Sequence, residues 1–440
     1  MRRGLLFLLS ATLAWPAAAG SEEPYRLTLL QARELAAKQN IDVALAEYDL
    51  ERFDSLYHEV IGSAFPSIDL TGTYTRSFKQ SVIFFGGNAI KIGEKNAASA
   101  TVGATQPLYT GGKVSKAIAA AHQARRAQEA ALRGVRDEVD LAVVRLFYAV
   151  LLARDIVAIQ KENLDSAQRH YDTIRARYNQ GLDSDLVLRR QEVEVANAKT
   201  LLISADNMLE TARLNLKDVL SLDIDRPLEA EGAFDPVGQA PPENAVLEKW
   251  AMSHRPEVLA VRSNTAVARS YVSIAAASYK PTLDAFANYQ WTAQSADKHL
   301  DPGEDAESVN GGLTLKFNLF QGGQSWQKVR QAKIDHEKAR LVQEKTERAV
   351  RREVQEKWLA VREAAARVKA QETAVEQARR ALEATEVRYR EGDSGQLELT
   401  DATFAFNRAR LQFAEATHDY WVNIAALERA VGTNLKEVQP

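Results

Sequence analysis

The chain has 440 residues, with 56 Lys and Arg against 59 Asp and Glu and a formal net charge of −3, too mild a balance to imply a nucleic-acid partner. It has no cysteine, which excludes a disulfide framework and lipidation through an N-terminal thiol. After the N-terminus no run approaches 18 apolar residues, so no transmembrane helix is expected and any membrane attachment must come from the fold.

In chain order, Met1-Arg2-Arg3, the apolar run from Leu5 to Leu13 and Ala17-Ala18-Ala19-Gly20 read as a secretory signal over residues 1–20, cleaved after Ala19 or Gly20. A first repeat is expected over 21–221. It opens with a helix over 28–63, started by a capping box between Thr28 and Gln31. Pro66 ends the helix, because proline cannot continue the hydrogen-bond ladder. Strands follow over 67–78 and 99–109, joined by a polar loop over 81–98. In the first strand Ile68, Leu70 and Tyr74 oppose Asp69, Thr71, Thr73 and Thr75, one apolar face and one polar. Gly86-Gly87 and Gly93 in the loop do not fit a phosphate cradle, since no Gly-Lys-Ser/Thr follows.

Gly111-Gly112 then leads into a helical hairpin over 113–221, with Gly181 at its turn. A connector rich in Pro, Asp and Gly is expected over 222–243. The second repeat, 244–432, reproduces the order: a helix over 244–279, Pro281, strands over 282–291 and 311–320 around a loop over 292–310, Gly322-Gly323, and a hairpin over 324–431 turning at Gly392. A short tail occupies 433–440. The offset between copies is 211 at Gly111/Gly322, at Gly181/Gly392 and at Leu216/Leu427. Long helices hold such a register, since one inserted residue rotates all that follows by about 100°. The apolar spacing alternates fours and threes (Val139, Val143, Leu146, Val150; then Val195, Ala198, Leu202, Ala205), the pattern of coiled-coil hairpins with small-residue seams.

Strands of about ten residues fit a tilted crossing of a bilayer, although a soluble hairpin alternates in the same way. Two strands per copy give four per chain. Four cannot close a barrel, and an open sheet in lipid leaves unpaired backbone groups costing several kcal/mol each. If the sheet spans a membrane, it must close with other chains.

Several motifs, in order along the whole chain after residue 20, resemble the TolC family of outer-membrane efflux proteins. These are Gln106-Pro107-Leu108-Tyr109-Thr110-Gly111-Gly112, Arg177-Tyr178-x-x-Gly181-Leu182, Lys280-Pro281-Thr282-Leu283-Asp284, Leu319-Phe320-Gln321-Gly322-Gly323 and Arg388-Tyr389-x-x-Gly392, with the paired openings Leu27-Thr28-Leu29 and His254-Arg255-Pro256-Glu257-Val258. The resemblance implies a mainly helical chain with a membrane β portion. Four strands per chain would form a 12-stranded β-barrel in a homotrimer, continued by an α-helical coiled-coil barrel in the periplasm. It implies a passive exit duct of a tripartite efflux or type I secretion system. Its partners would be outer-membrane lipid, a periplasmic adaptor (membrane fusion) protein and an inner-membrane pump of RND, MFS or ABC type, with no nucleic acid and no cofactor.

The resemblance also assigns residues. Glu398 and Asp401, one turn past the second tip and three apart on one helix face, match acids that ring the closed periplasmic end. Tyr389 matches a tyrosine that helps hold it closed, and it also ends the heptad seam. The charged partners of that closing link would fall at Ser394 and Val187, so this chain lacks both. Gly181, Leu182 and Ser184 at the first tip, with Gly392 and Ser394 at the second, would dock the adaptor. Pro66, Pro281, Gly111, Gly112, Gly322 and Gly323 mark the helix–strand junctions. Tyr74, Phe78, Tyr289 and Trp291 would form an aromatic girdle. The seven His show no ligand spacing, so no metal site is expected, and no nucleophile–base arrangement stands out. Two rivals are a periplasmic coiled-coil adaptor or scaffold, which has one hairpin between lipoyl-like β modules, and an enzyme carrying a coiled-coil insertion.

Overall fold

A computed structural model describes residues 25–234, 241–295 and 305–438. The secretory signal lies outside the described residues, as do parts of the connector, of the second strand loop and of the tail. The chain divides into two compact units, Met1–Ala36 with Val143–Asp235, and Ala37–Ala142 with Pro236–Pro440.

In the first unit, β1 (Tyr25–Leu27) pairs in parallel with β6 (Leu228–Ala230). The capping box opens α1 (Leu29–Gln39): Thr28 N donates to Gln31 Oε1 at 2.9 Å, and Gln31 N donates to Thr28 Oγ1 at 3.4 Å. Most of α3 (Lys113–Asn179) and all of α4 (Asp185–Val219) belong here. Along α4 the buried residues are Leu188, Gln191, Ala198, Ala205, Leu209, Ala212, Leu216 and Lys217, all but the two polar ones and Leu188 on the heptad seam read from sequence. Gln191 Nε2 donates to Ala167 O at 2.9 Å, tying α4 to α3. Arg154 donates to Gly232 O at 3.0 Å, tying α3 to the segment after β6.

The second unit holds α2 (Ile41–Gly62), the sheet strands, α5 (Asn244–His254), α6 (Pro256–Ala276), α7 (Gln324–Glu391) and α8 (Gln396–Val431). At 68 residues, α7 runs about 100 Å. Its buried positions Val350, Val354, Val361, Ala364, Val368 and Thr385 follow the heptad seam, and with Leu247, Ala251, Val258, Tyr420 and Leu427 most of them form one core. The sheet has four antiparallel strands in the order β2 (Ser67–Arg76), β5 (Asn96–Tyr109), β7 (Thr282–Ser295), β8 (Asp305–Lys316).

Several boundaries differ from the sequence reading. The helix expected over 28–63 is two helices, because Asn40 accepts from the amides of Asp42 and Val43 and starts a new one. That expected over 244–279 breaks at Arg255, because Pro256 opens α6 and its neighbour adopts extended backbone. A 3-10 turn, Ala277–Tyr279, ends it. The loop expected over 81–98 contains a hairpin, β3 (Ser81–Phe85) and β4 (Asn88–Ile92), turning on Gly86-Gly87 at φ +59° and +85°. Two glycines at positive φ suit a two-residue hairpin turn. β5 starts at Asn96, three residues early, and β7 continues to Ser295. β8 starts at Asp305 and stops at Lys316, so Phe317, Leu319 and Phe320 lie in the turn toward Gly322-Gly323 rather than in the strand. The first strand stops at Arg76, and Phe78 lies beyond it.

Candidate functional site

The sheet has two chemically distinct faces, set by alternation and by the observed register. Leu70 faces Val102, Val102 faces Tyr289, and Tyr289 faces Val309. On this side lie also Ile68, Leu283, Leu313 and Leu315. Leu70 is 74% exposed and Leu315 69% exposed, so the apolar face is uncovered in the single chain. Thr71, Thr101, Gln290 and Ser308 align across the other face, together with Asp69, Asp284, Asn288 and Lys316. An uncovered apolar sheet face this broad marks an interaction surface rather than a solvated one. Tyr74, Tyr289 and Trp291 lie on the apolar face. Tyr74 donates to Asn96 Oδ1 at 2.9 Å. Phe78 is 94% exposed past the strand end, with the Arg76 guanidinium 5.9 Å from its ring.

Among the described residues both edges, β2 and β8, lack a neighbouring strand. The two repeats meet at β5–β7, and around that seam the junction glycines differ. Gly111 and Gly112 have φ +65° and +88°, Gly322 and Gly323 +58° and +79°. A Cβ on Gly111 would meet Lys280 Cβ at 2.9 Å and Ala277 O at 3.0 Å, at the end of the helix leading to Pro281. A Cβ on Gly322 would meet nothing within 4 Å. The copy's counterpart surface, before Pro66, is open too: Gly62 has nothing near its Cβ position and Phe65 is 64% exposed.

The helical tips are built from two αL glycines, Gly181 at φ +77° and Gly392 at φ +85°. Leu182 N donates to Arg177 O and Asp393 N to Arg388 O, at 3.0 and 2.9 Å, closing the helix ends as glycine C-caps do. At the first tip Arg177 Nε binds Asp183 Oδ2 at 2.9 Å, and Leu182 is 66% exposed. Ser184 is the N-cap of α4. At the second tip Arg388 Nη1 binds Glu398 Oε1 at 2.9 Å, Arg388 Nη2 donates to Asp393 O at 3.2 Å, and Ser394 Oγ donates to Glu398 Oε2 at 2.7 Å. Asp401 is exposed, and Tyr389 is half-buried.

An ionic knot, not read from the sequence, ties the α5–α6 corner to α3, α7 and α8. Arg255, 3% exposed, donates to Glu257 by Nε at 3.0 Å, to Glu353 by Nη2 at 2.6 Å and to Ala430 O by Nη1 at 3.0 Å. Arg429 bridges Glu353, Glu257 and Glu138 at 3.2, 3.3 and 2.9 Å. Burial pushes the Glu257 carboxyl up, but its bond to Arg255 and the charges of Arg255 and Arg429 bring it below its ordinary value. Asp137 differs. Burial, then Glu257 and Asp140, raise it to about 6 against the pull of Arg429 and Arg133. Gly432, at φ +80°, caps α8 under this knot, and a Cβ there would meet Arg255 Cα at 3.0 Å. The signal available in the sequence was the dipeptide Arg255-Pro256, a cation just before a proline that can open a helix.

Among the described residues no helix is long and apolar enough to cross a membrane, and no cluster of three or more His, Asp or Glu could hold a metal.

Comparison with known proteins places these features in a family. A family model described as outer membrane efflux protein matches residues 28–221 and 249–433. Outer membrane protein TolC of Vibrio cholerae is 23% identical over 341 residues, covering 77% of this chain and 78% of that protein. Two solved structures share the fold. The Campylobacter jejuni CmeC outer membrane channel has a TM-score of 0.80 at 18% identity, covering 92% of this chain and 85% of that one. The Vibrio cholerae outer membrane protein VceC has a TM-score of 0.79 at 19% identity, covering 92% and 96%.

Proposed function

The chain belongs to the outer membrane efflux protein family, and from that premise we propose how it forms its duct. It is an outer-membrane channel of efflux or type I secretion machinery, extending into the periplasm. We infer that three copies close one barrel, each β8 pairing with the β2 of its neighbour. The observation that carries this is the mismatch at the junction glycines. Inside the chain, β5 pairs with β7 and Gly111 is covered by Ala277 and Lys280. In this reading, by repeat symmetry, β2 and the Gly62–Phe65 corner of another copy pack against β8 and Gly322, where the described residues of the single chain leave open space.

The strand count favours three copies. Eight strands leave an interior that side chains fill, so two copies would give no passage. Three give about twelve strands and the first open lumen. The apolar face, with Tyr74, Tyr289 and Trp291, then meets lipid, and the Asp69, Thr71, Asn288 and Lys316 face lines water. Closure removes both open edges, whose backbone groups cannot stay unpaired in hydrocarbon.

The helical portion then serves the periplasm. In this reading the tips at Gly181, Leu182 and Ser184 and at Gly392 and Ser394 dock an adaptor, which joins the duct to an inner-membrane pump of RND, MFS or ABC type. Glu398 and Asp401 line the periplasmic mouth, with Tyr389 behind them, and the mouth widens when the second hairpin, 324–431, swings outward about Gly392. Three copies bring six carboxylates to that mouth, a field that favours cations.

Membrane fractionation with planar-bilayer recording tests the reading. The protein sediments with the outer membrane and gives discrete conductance steps. Recovery as a soluble periplasmic monomer overturns it in favour of a periplasmic scaffold.

A further inference from the structure

One cavity of the second unit has no residue at the tips and meets the closing edge only through Lys316 of β8. It has a volume of about 590 Å³ and sits where the sheet meets the helices, within the range of small-molecule sites. Its floor is apolar: Tyr271, Ile274 and Ala275 of α6 and Ala332 of α7. Its wall carries four lysines from four separate elements: Lys113 at the start of α3, Lys280 before β7, Lys316 at the end of β8 and Lys328 in α7.

Convergence of four cations from positions 113 to 328 is a product of the fold, not of a local basic run. Like charges around one cavity repel one another, and an anion placed among them is attracted by each. Among the described residues none of the four is ion-paired, and Asp335, the carboxylate on the wall, faces Lys338 at 3.7 Å. Thr282 and Lys316 face each other on the polar side of the sheet, the side assigned to the water-filled lumen.

We propose that this cavity binds amphipathic organic anions on the conduit side of the barrel–helix junction. The ligand class is a flat apolar body bearing a carboxylate, sulfonate or phosphate. The body lies on Tyr271, Ile274 and Ala275, and the anionic group sits among the lysine ammonium groups. In a trimer the sites recur three times at one level of the duct. Passing anions are then held before the barrel, while the acidic tips select cations at the far end. The conduit-side placement rests on the duct reading; the binding itself does not.

The test is calorimetric titration of 2-naphthalenesulfonate into the detergent-purified full chain. Wild type binds. K113Q/K280Q/K316Q/K328Q binds roughly tenfold more weakly, while K199Q/K333Q/K345Q/K369Q, which removes four lysines outside the cavity, keeps wild-type affinity. Should the quadruple variant not fold, the four single variants replace it, each weakening binding by roughly twofold. No wild-type binding, equal loss in both quadruple variants, or equal binding of 2-naphthylmethylammonium overturns the site. A protein that binds the sulfonate but conducts no ions contradicts the duct and leaves the site standing. A conducting channel with no sulfonate binding contradicts the site alone.

Discussion

Arg388 Nη1 lies 2.9 Å from Glu398 Oε1, whereas its copy in the first repeat, Arg177, binds Asp183. The two arginines stand 211 residues apart, so the basic member of the pair is kept while the acid changes place. Position 183 corresponds to Ser394, and Glu398 corresponds to Val187. Ser394 then hydrogen-bonds the displaced acid instead of replacing it. Glu398 is therefore held within its own tip, with Asp401 exposed one turn further on.

That arrangement predicts opposite effects for two changes. Glu398→Ala/Asp401→Ala lowers cation selectivity and alters single-channel conductance. Arg388→Ala uncovers the Glu398 charge and raises cation selectivity. The exposed pair itself contributes little stability, roughly 0–1 kcal/mol, so melting temperature stays near wild type in Arg388→Ala. Unchanged conductance and selectivity in the double variant would remove these acids from the gate.

Arg255 has three partners in the knot, two of them carboxylates. Arg255→Ala leaves Glu257, Glu353 and the Ala430 carbonyl without their donor, and removing one member of a buried charge network costs about 3–5 kcal/mol. Arg255→Lys recovers little, because an ammonium cannot reproduce the planar fork. Chemical denaturation followed by circular dichroism reads both. A loss under about 1 kcal/mol for Arg255→Ala would show the knot to be dispensable.

Asp137 gives a pH signature of opposite sign. Its carboxyl sits at about 6 in the folded chain against 3.8 ordinarily, so the folded state holds the proton more tightly than the unfolded one. The stabilisation from the protonated form is full below about 4, and is lost as pH rises to about 6. Asp137→Asn mimics the protonated side chain. It raises the unfolding free energy above pH 6 by on the order of 1 kcal/mol, allowing for partial exposure, and changes it little at pH 4. An equal gain at both pH values would mean that Asp137 is not the titrating group.

Gly111 and Gly322 share a positive φ but not a neighbourhood, which separates folding from assembly. Gly111→Ala strains the backbone and clashes with Lys280 inside the chain, costing roughly 1–3 kcal/mol or more. Gly322→Ala carries the backbone cost, but within the chain its Cβ meets open space, so in the proposed ring its clash comes from another copy. Gly322→Ala therefore lowers trimer yield on size-exclusion chromatography more than Gly93→Ala, a loop glycine at φ +78° with equal free space. Equal yields would contradict the assigned contact.

The repeat, the seams and the tip glycines were legible because each is a periodic or pairwise signal: heptad positions such as Val350 and Ala364 are buried as spaced. Local competition hid the rest. Asn40-Ile41-Asp42 carries an N-cap inside an otherwise continuous apolar pattern, so one helix was expected where there are two. Ser81 to Ile92 reads as a polar loop when its Gly pair is tested only against a phosphate cradle and not against a hairpin turn. Phe317 to Phe320 continued the alternation past the point where the chain must bend toward Gly322. The lysine cavity and the Arg255 knot join positions far apart in the chain, and no spacing rule brings these together.

Closure between copies is the central claim, and the absence of native cysteine makes it directly measurable. Gly103 faces Asn288 across β5–β7. The repeat offset of 211 carries Gly103 to Thr314, and the Pro66/Pro281 offset of 215 carries Asn288 to Thr73. Directly opposed strand residues have Cβ atoms about 4.5–5.5 Å apart, near enough for a disulfide after slight adjustment. Under oxidation, T73C/T314C is predicted to give covalent dimers and trimers on non-reducing gels and nothing larger, with T73C or T314C alone giving none. Monomers alone from T73C/T314C, and also from T71C/T314C and T75C/T314C, or a ladder extending beyond three, would contradict a closed ring of three chains.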